Sequence, residues 1–469
     1  MRALCLLALV VVMHAGEADQ LVTDQWFVGH INKQPSMTMH AVVLKKADGT
    51  YSDRVETNIV LNRVLGGTAI AFEVRDTQVY TVSAAGTITG FTFDHVENGA
   101  TTAAIGIVSG DHITVSVLRL GRATDSTLII PAATRLLGQQ ASQELLVKTT
   151  WKPGDKQQFA SLALIGNQVR IVTMTAIHQG TAADGQMTFG MTMDLMPVPT
   201  TLTLKPNGDL MAMTMDMGFL KMAFAPSVGP VPLVGAELAP TGLVTAKGPA
   251  PAAGPLNRYR LPTDATVVND DFQHTEAGVV ITRSDAEPAA LADPAAYLKV
   301  EPQLEIDDPQ LKAWVAELVA RHQVAKPILA ERLRLAVRGY IVKKDLSMGD
   351  GSALETFRNR TGDCTEHANL LAAVLRIAGF PSRVELGMVY SQDFGGWVGH
   401  AWNSAYIDDR WVHLDSAYPG IPRSCYLKLG TSSGSEWNNT GVAMLSGFSK
   451  IMGKEVETLA PLLAPLLAP

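Results

Sequence analysis

Short apolar runs alternate with polar positions through the first half of the chain. Residues 69–75, 78–83, 87–93 and 112–118 alternate or are rich in β-branched residues, with Gly, Asp and Asn between them. The pattern continues at 157–164, 169–177 and 201–204, then runs through the turn Lys205-Pro206-Asn207-Gly208-Asp209 into 211–217. Helical periods are sparse here, so residues 19–224 are expected to form a β-rich N-terminal region of one or two subdomains. Residues 225–258 are crowded with Pro, Ala and Gly and read as a linker. A few strands then return, notably 278–283.

Beyond residue 300 the period lengthens to that of helices. Asp308-Pro309 supplies an N-cap and a proline at the first helical position, ahead of a stripe of Leu311, Trp314, Leu318 and Val319. A second helix is expected over 328–342. A third follows Asp363, with Ala368, Leu371, Leu375 and Ala378 on one face and Leu370 and Val374 beside them. Asp363 and Glu366 have capping-box spacing, and Gly379 and Pro381 close the helix. Residues 400–407 and 410–415 then alternate around Asp408-Asp409, as a hairpin does. Helices packed on an antiparallel sheet make an α+β domain over 259–445, followed by a loosely docked or disordered tail over 446–469.

Composition sets the setting. A chain of 469 residues calls for two or three domains, and 47% apolar residues suit a globular protein. The net charge of −7 and the lack of a basic run argue against nucleic acid as a partner. Residues 1–18 read as a secretory signal: Arg2, an uncharged apolar run and the small-residue site Gly16-Glu17-Ala18. The protein is therefore expected to be secreted or periplasmic, with no transmembrane segment after cleavage. Oligomeric state is left open.

Cys364 and Cys425 are the cysteines that remain. Cys364 falls in the first turn of the third helix, where free N–H groups and the helix dipole favour a thiolate. A base is in reach if the hairpin turns at 408–409. Paired residues then have numbers summing to 815 or 817, and either register puts His400 and Asp415 on one face, opposite or diagonal. A carboxylate beside an imidazole fixes its tautomer, which completes a nucleophile–base–orienter set. A disulfide to Cys425 would block Cys364, so Cys425 is expected to be free or buried.

Around that set, Asp363, Glu366 and His367 are read as structural supports of the loop. Trp402 and Trp411 are read as cleft walls or core, and His413 as an alternative base. Met211, Met213, Met215 and Met217 share one strand face, as core filler or a soft copper(I) stripe. No metal-ligand spacing stands out among the other His, Asp and Glu residues, and no cofactor is called for.

Gly-Asp-Cys-Thr-Glu-His-Ala at 362–368, then Leu-Leu-Ala-Ala-Val-Leu-Arg-Ile-Ala-Gly-Phe-Pro-Ser-Arg, then His-Ala-Trp at 400–402 and Trp-Val-His-Leu-Asp-Ser at 411–416 together resemble the transglutaminase-like superfamily. The resemblance covers about 302–429 and is closest to secreted bacterial members with a β-rich N-terminal region. It implies a papain-like core with Cys364 as nucleophile, His400 as general base and acid, and Asp415 as orienter. It implies an activity on protein or peptide amide bonds through a thioester, giving cross-linking, deamidation or proteolysis. The alternative is a non-catalytic envelope protein that binds or scaffolds proteins or peptides through the same domain. Animal transglutaminases use calcium, but no calcium loop is present here. Many papain-like enzymes place Gln or an aromatic donor shortly before the nucleophile. Here Arg358 stands six residues upstream and Phe357 has no donor, which leaves the Cys364 backbone N–H as the one oxyanion donor the sequence names.

Overall fold

The computed structural model describes residues 19–65, 68–119, 121–166, 168–194, 198–216, 221–238, 244–262, 267–343, 351–418, 420–431, 451 and 453–460. The expected signal segment, most of the Ser/Gly/Asn-rich stretch after residue 431 and the Ala-Pro-Leu-Leu end lie outside them.

Among the described residues the N-terminal region is one sheet of 15 strands. Fourteen of these strands form two meanders joined at their inner strands. One steps outward from Gln20–Ile31 to an edge at Arg122–Ile129, and the other from Lys221–Ser227 to an edge at Lys156–Ile165. Gln20–Ile31 pairs antiparallel with Lys221–Ser227, Val28 lying opposite Ala225. Sheet twist and apolar burial curl the array until its halves face each other. Tyr80, Phe91, Phe93, Ile113 and Val115 of one meander pack against Ala160, Leu162 and Val169 of the other. The Tyr80 hydroxyl, otherwise costly to bury, donates to the Leu162 carbonyl at 2.7 Å.

Helix α1 (Gln139–Lys148) sits within this β region and is not among the elements expected from the sequence. It seats Leu146 among Phe159, Ala176, Phe189 and Leu204. The methionines of Leu210–Asp216 are sheet packing: Met215 is buried opposite Met222, and Met213 faces Phe224. Met217 lies outside the described residues.

The stretch expected to be a linker is partly woven into sheets. Ala236–Leu238 adds in parallel to Tyr51–Leu65, and Thr245–Lys247 joins a second sheet. That sheet has five strands, in the order Thr245–Lys247, Glu455–Thr458, Leu256–Arg260, Val279–Arg283 and Gln273–Glu276. Glu455–Thr458 belongs to the segment expected to be a loose tail. It forms a strand because Val456 finds a core with Val244, Tyr259, Val280, Trp397 and Leu427.

Among the described residues four further α-helices follow: α2 (Pro309–Arg321), α3 (Lys326–Tyr340), α4 (Ala353–Asn359) and α5 (Cys364–Ile377). Asp308 caps α2 through the N–H groups of Gln310 and Leu311, and Leu311, Val315 and Leu318 form its buried face. The helices pack with a four-stranded antiparallel sheet ordered Arg410–Leu414, Gly396–Ile407, Ser382–Ser391, Tyr426–Thr431. Helix α5 is the hub of that core. Leu370, Leu371, Val374 and Leu375 are fully enclosed with Leu333, Val337, Val384, Ala401 and Ala405. At its C-terminus Gly379 takes φ +86°. Its N–H and that of Phe380 then return to the Arg376 and Leu375 carbonyls. The whole is a large β-rich N-terminal sheet followed by an α+β core.

Candidate active site

Cys364 opens α5. Asp363 accepts the Thr365 N–H, and the Glu366 side chain accepts the Asp363 N–H at 2.8 Å, completing the capping box read from the sequence. Glu366 is fully buried and its other oxygen accepts the Gly351 N–H at 2.9 Å. Gly362 is required beside it, because a Cβ there would lie 2.3 Å from the Glu366 Cβ. Burial, and then the neighbouring Asp363 charge, push the Glu366 carboxyl well above the usual range.

The hairpin turns at Asp408 and Asp409, both with left-handed φ of 50° and 60°, as a two-residue primed turn requires. Ile407 pairs with Arg410 and Asn403 with Leu414, which is the 817 register. Asp415 therefore falls diagonal to His400, just past the strand end. His400 Nε2 and Asp415 Oδ2 are 2.7 Å apart, both residues buried. Tyr426 donates its hydroxyl to the same oxygen at 2.8 Å. The other carboxylate oxygen accepts the Ala417 and Tyr418 N–H groups at 2.8 and 2.9 Å. Burial opposes ionisation of Asp415, but the His400 charge and hydrogen bond outweigh it and hold the carboxyl down at about 2. From α3, Arg334 clamps the Asp415 carbonyl at 2.9 Å while it is held bidentately by Glu331.

In the 817 register Ala401 would exchange backbone hydrogen bonds with residue 416, but the Arg410–Leu414 strand has ended. Its N–H instead serves the Cys364 sulfur. The thiol is thus held against the residue that follows His400. His400 Nδ1 is buried and has no hydrogen-bond partner among the described residues, so thiol and imidazole are not bonded in the resting protein.

The expected lowering of the Cys364 pKa is reversed. Burial pushes the thiol up, Asp363 adds to this, the Ala401 N–H opposes it, and Glu366 and Asp415 add further. The main physical reason is burial, which disfavours the thiolate; the Asp363 cap, which takes a helix-end N–H group and stands beside the sulfur, adds to it.

The remaining residues singled out from the sequence spread around this centre. His367 is buried, with Nδ1 3.2 Å from the Ser416 hydroxyl, tying α5 to the Asp415 loop. Trp402 is 1% exposed and stacks 6.1 Å from His400, so it backs the imidazole from within the core. Trp411 is also buried, in a separate cluster with Phe272, and carries the Arg383 guanidinium 4.0 Å above its ring. Cys425 is a free, buried cysteine. Phe357 packs on Trp314 and Tyr340, and Arg358 lies 3.8 Å from Asp308; neither is placed as an oxyanion donor. Among the described residues no group of three or more His, Cys, Asp and Glu could hold a metal ion.

Tyr418, Tyr426 and Arg334 were not read from the sequence. Tyr418 lies edge-on to His400 at 5.0 Å. The Asp at 415 followed by two residues whose N–H groups turn back to it is a recognisable turn signal, and it could have marked Tyr418. No local signal marks Tyr426 or Arg334.

His413 has neither a role as base nor a hydrogen-bond partner for either ring nitrogen among the described residues. Burial, with Arg423 nearby, pushes its pKa down to about 3. The unfolded chain takes up this proton near pH 6.5 and the folded one only near 3, so stability is lost as pH falls across that interval. Replacing His413 with Phe is expected to flatten the fall in urea midpoint between pH 6.5 and 4. An unchanged slope would show that His413 is protonated in the fold. Asp415 acts in the same direction, but in the lower window between about 3.8 and 2.

A family model described as the transglutaminase-like superfamily matches residues 313–416, the span from α2 to the end of the His400–Asp415 hairpin. These residues form a transglutaminase-like superfamily domain. The transglutaminase-like domain thus covers all three residues of the Cys–His–Asp set. No curated protein matches the chain. A solved candidate cysteine protease from Cytophaga hutchinsonii is similar at 14% identity and TM-score 0.29, over 38% of this chain and 78% of that one. A β-barrel-like protein of a domain of unknown function from Brucella abortus is similar at 13% identity and TM-score 0.31, over 44% of this chain and 94% of that one. A candidate protease from Parabacteroides distasonis is similar at 12% identity and TM-score 0.23, over 80% and 69%.

Proposed function

We propose that the protein is an exported thiol enzyme that acts on protein or peptide amide bonds through Cys364, His400 and Asp415. One observation carries the reading: the buried 2.7 Å contact of His400 Nε2 with Asp415, on a strand whose next N–H holds the Cys364 sulfur. With its Nε2–H donating a hydrogen bond to the Asp415 carboxylate, His400 presents the Nδ1 lone pair as a base. Cys364 Sγ attacks the amide carbonyl carbon while Nδ1 takes the thiol proton. That proton passes to the departing amine and a thioester remains. Water then gives the acid, as in deamidation or proteolysis, and an amine gives a cross-link. Because burial pushes the thiol up, deprotonation accompanies attack and no thiolate–imidazolium pair stands ready in the free protein.

Two measurements test this. Alkylation of Cys364 by iodoacetamide, with Cys364→Ala as background, is expected to be slow at pH 6 and to climb only in the alkaline range. Rapid alkylation at pH 6 would mean a resting ion pair and overturn the general-base order. Incubation with a glutamine-rich protein should release ammonia or amino-terminal fragments, or incorporate an amine. Each product should vanish in Cys364→Ser and His400→Ala.

The second reading, a binding or scaffold protein of the cell envelope, is favoured by the missing Cys364–His400 hydrogen bond. Retained protein or peptide binding with no product in wild type would select it.

A further inference from the structure

We propose that Arg119 of the N-terminal sheet is a positioning residue for the loop that carries Cys364. Its guanidinium reaches across to α4 and grips Glu355 at both oxygens, Nε to Oε1 at 2.8 Å and an Nη to Oε2 at 2.7 Å. The Arg119 and Glu355 side chains are 17% and 4% exposed, which sets this bridge apart from the exposed pairs on the surface. Beside it the two regions border a cavity of about 430 Å³ lined by Val117, Arg122, Leu128, Val169, Val300 and Leu354. Arg119–Glu355 and the exposed Arg122–Asp307 pair bridge the two regions here.

From Glu355 a continuous set of hydrogen bonds leads to the nucleophile helix. Glu355 Oε2 also accepts the Ser352 N–H at 2.7 Å, and the Ser352 hydroxyl caps α4 through the Glu355 N–H. The preceding residue, Gly351, gives its N–H to Glu366 and takes the Asn369 side-chain N–H at 2.9 Å. Glu366 holds the Asp363 N–H, one residue before Cys364. Each step is buried or partly buried, so each has few ways to move without stranding a polar group. Removing Arg119 leaves the Glu355 carboxylate buried without its cation. The 351–355 turn then gives way, and with it the Glu366 hydrogen bonds that set the Asp363–Cys364 turn and the surroundings of the partly buried thiol. Nothing in this relay depends on which bond Cys364 attacks, or on whether it attacks one.

The test is the pH profile of Cys364 alkylation by iodoacetamide in the full-length protein. Arg119→Ala is expected to raise the rate at pH 8 by about tenfold, equivalent to one unit in the thiol pKa. Adding Glu355→Gln to that variant removes the stranded charge and returns the profile towards wild type. Glu355→Gln alone, which keeps the side-chain volume and an oxygen for Ser352, gives a smaller shift of the same sign and serves if Arg119→Ala does not fold. Arg122→Ala, at the exposed bridge, leaves the profile in place. A merely structural bridge would lower the urea midpoint and leave the profile of the folded protein unmoved. That result overturns the proposal, as would no return in the double variant or an equal shift in Arg122→Ala.

Discussion

Replacing Asp415 with Asn is expected to lower turnover of an amide substrate by about 10³–10⁴-fold, with little change in KM. The hydrogen bonds decide which way the new amide must lie. One carboxylate oxygen accepts two backbone N–H groups, from Ala417 and Tyr418, and only an oxygen can stay there. The amide NH2 is therefore forced onto the side of His400 Nε2 and the Tyr426 hydroxyl. An N–H donor facing Nε2 drives the imidazole proton to Nδ1, the nitrogen that has to accept the thiol proton. The side-chain volume is kept, so the loss reports the tautomer and not the packing. Turnover within tenfold of wild type would show that Asp415 does not orient His400.

The largest stability effect is expected at Gly387. This residue lies opposite His400 in the neighbouring strand, and on its other side the Tyr426–Thr431 strand slips register between Leu386 and Gly387. A Cβ at Gly387 would sit 2.0 Å from the Leu427 carbonyl oxygen and 2.9 Å from the Lys428 Cα. Both obstacles are backbone, so no rotamer change relieves them. Gly387→Ala should cost about 3 kcal/mol or more, at the upper end of overpacking effects, and should sharply reduce soluble yield. A urea midpoint close to that of wild type would mean that the two strands can part without harm. The site would follow the fold, because the displaced strands carry His400 on one side and Tyr426 on the other.

What was legible in the sequence was local chemistry with a fixed period. The α5 capping box, the Asp308 cap of α2 and the two-residue turn at Asp408-Asp409 each bind residues within a few positions of one another. The hairpin then carried a long-range result at no extra cost, since its turn alone settles that His400 and Asp415 share a face. Helix α1 shows the opposite case. Its N-cap residue is Gly138 and makes no side-chain bond; the Gln139 N–H goes instead to Asp53, 2.6 Å away and far back in the chain. A cap supplied from a distant strand leaves no local mark. The Thr245–Lys247 and Glu455–Thr458 strands were hidden for the same reason. Each is three or four residues long and finds its partners only far away in the chain: Thr245–Lys247 pairs with Glu455–Thr458, which pairs in turn with Leu256–Arg260. The thiol failed differently. The dipole argument was correct as a force, but it was outweighed by burial and by the carboxylates that cap the helix.

The order in which this chain leaves the ribosome is at odds with the order of its sheet. Gln20–Ile31 is made first, yet one of its two neighbours, Lys221–Ser227, is made roughly 200 residues later. At ~5–20 residues per second, the interval is about 10–40 s of synthesis, far longer than a hairpin needs to form. Throughout that time the newborn strand offers an open row of N–H and C=O groups to any chain that passes. Such an edge invites pairing with the wrong partner. Until the second meander has emerged, the nascent chain is therefore expected to be at its most prone to mispairing along this edge.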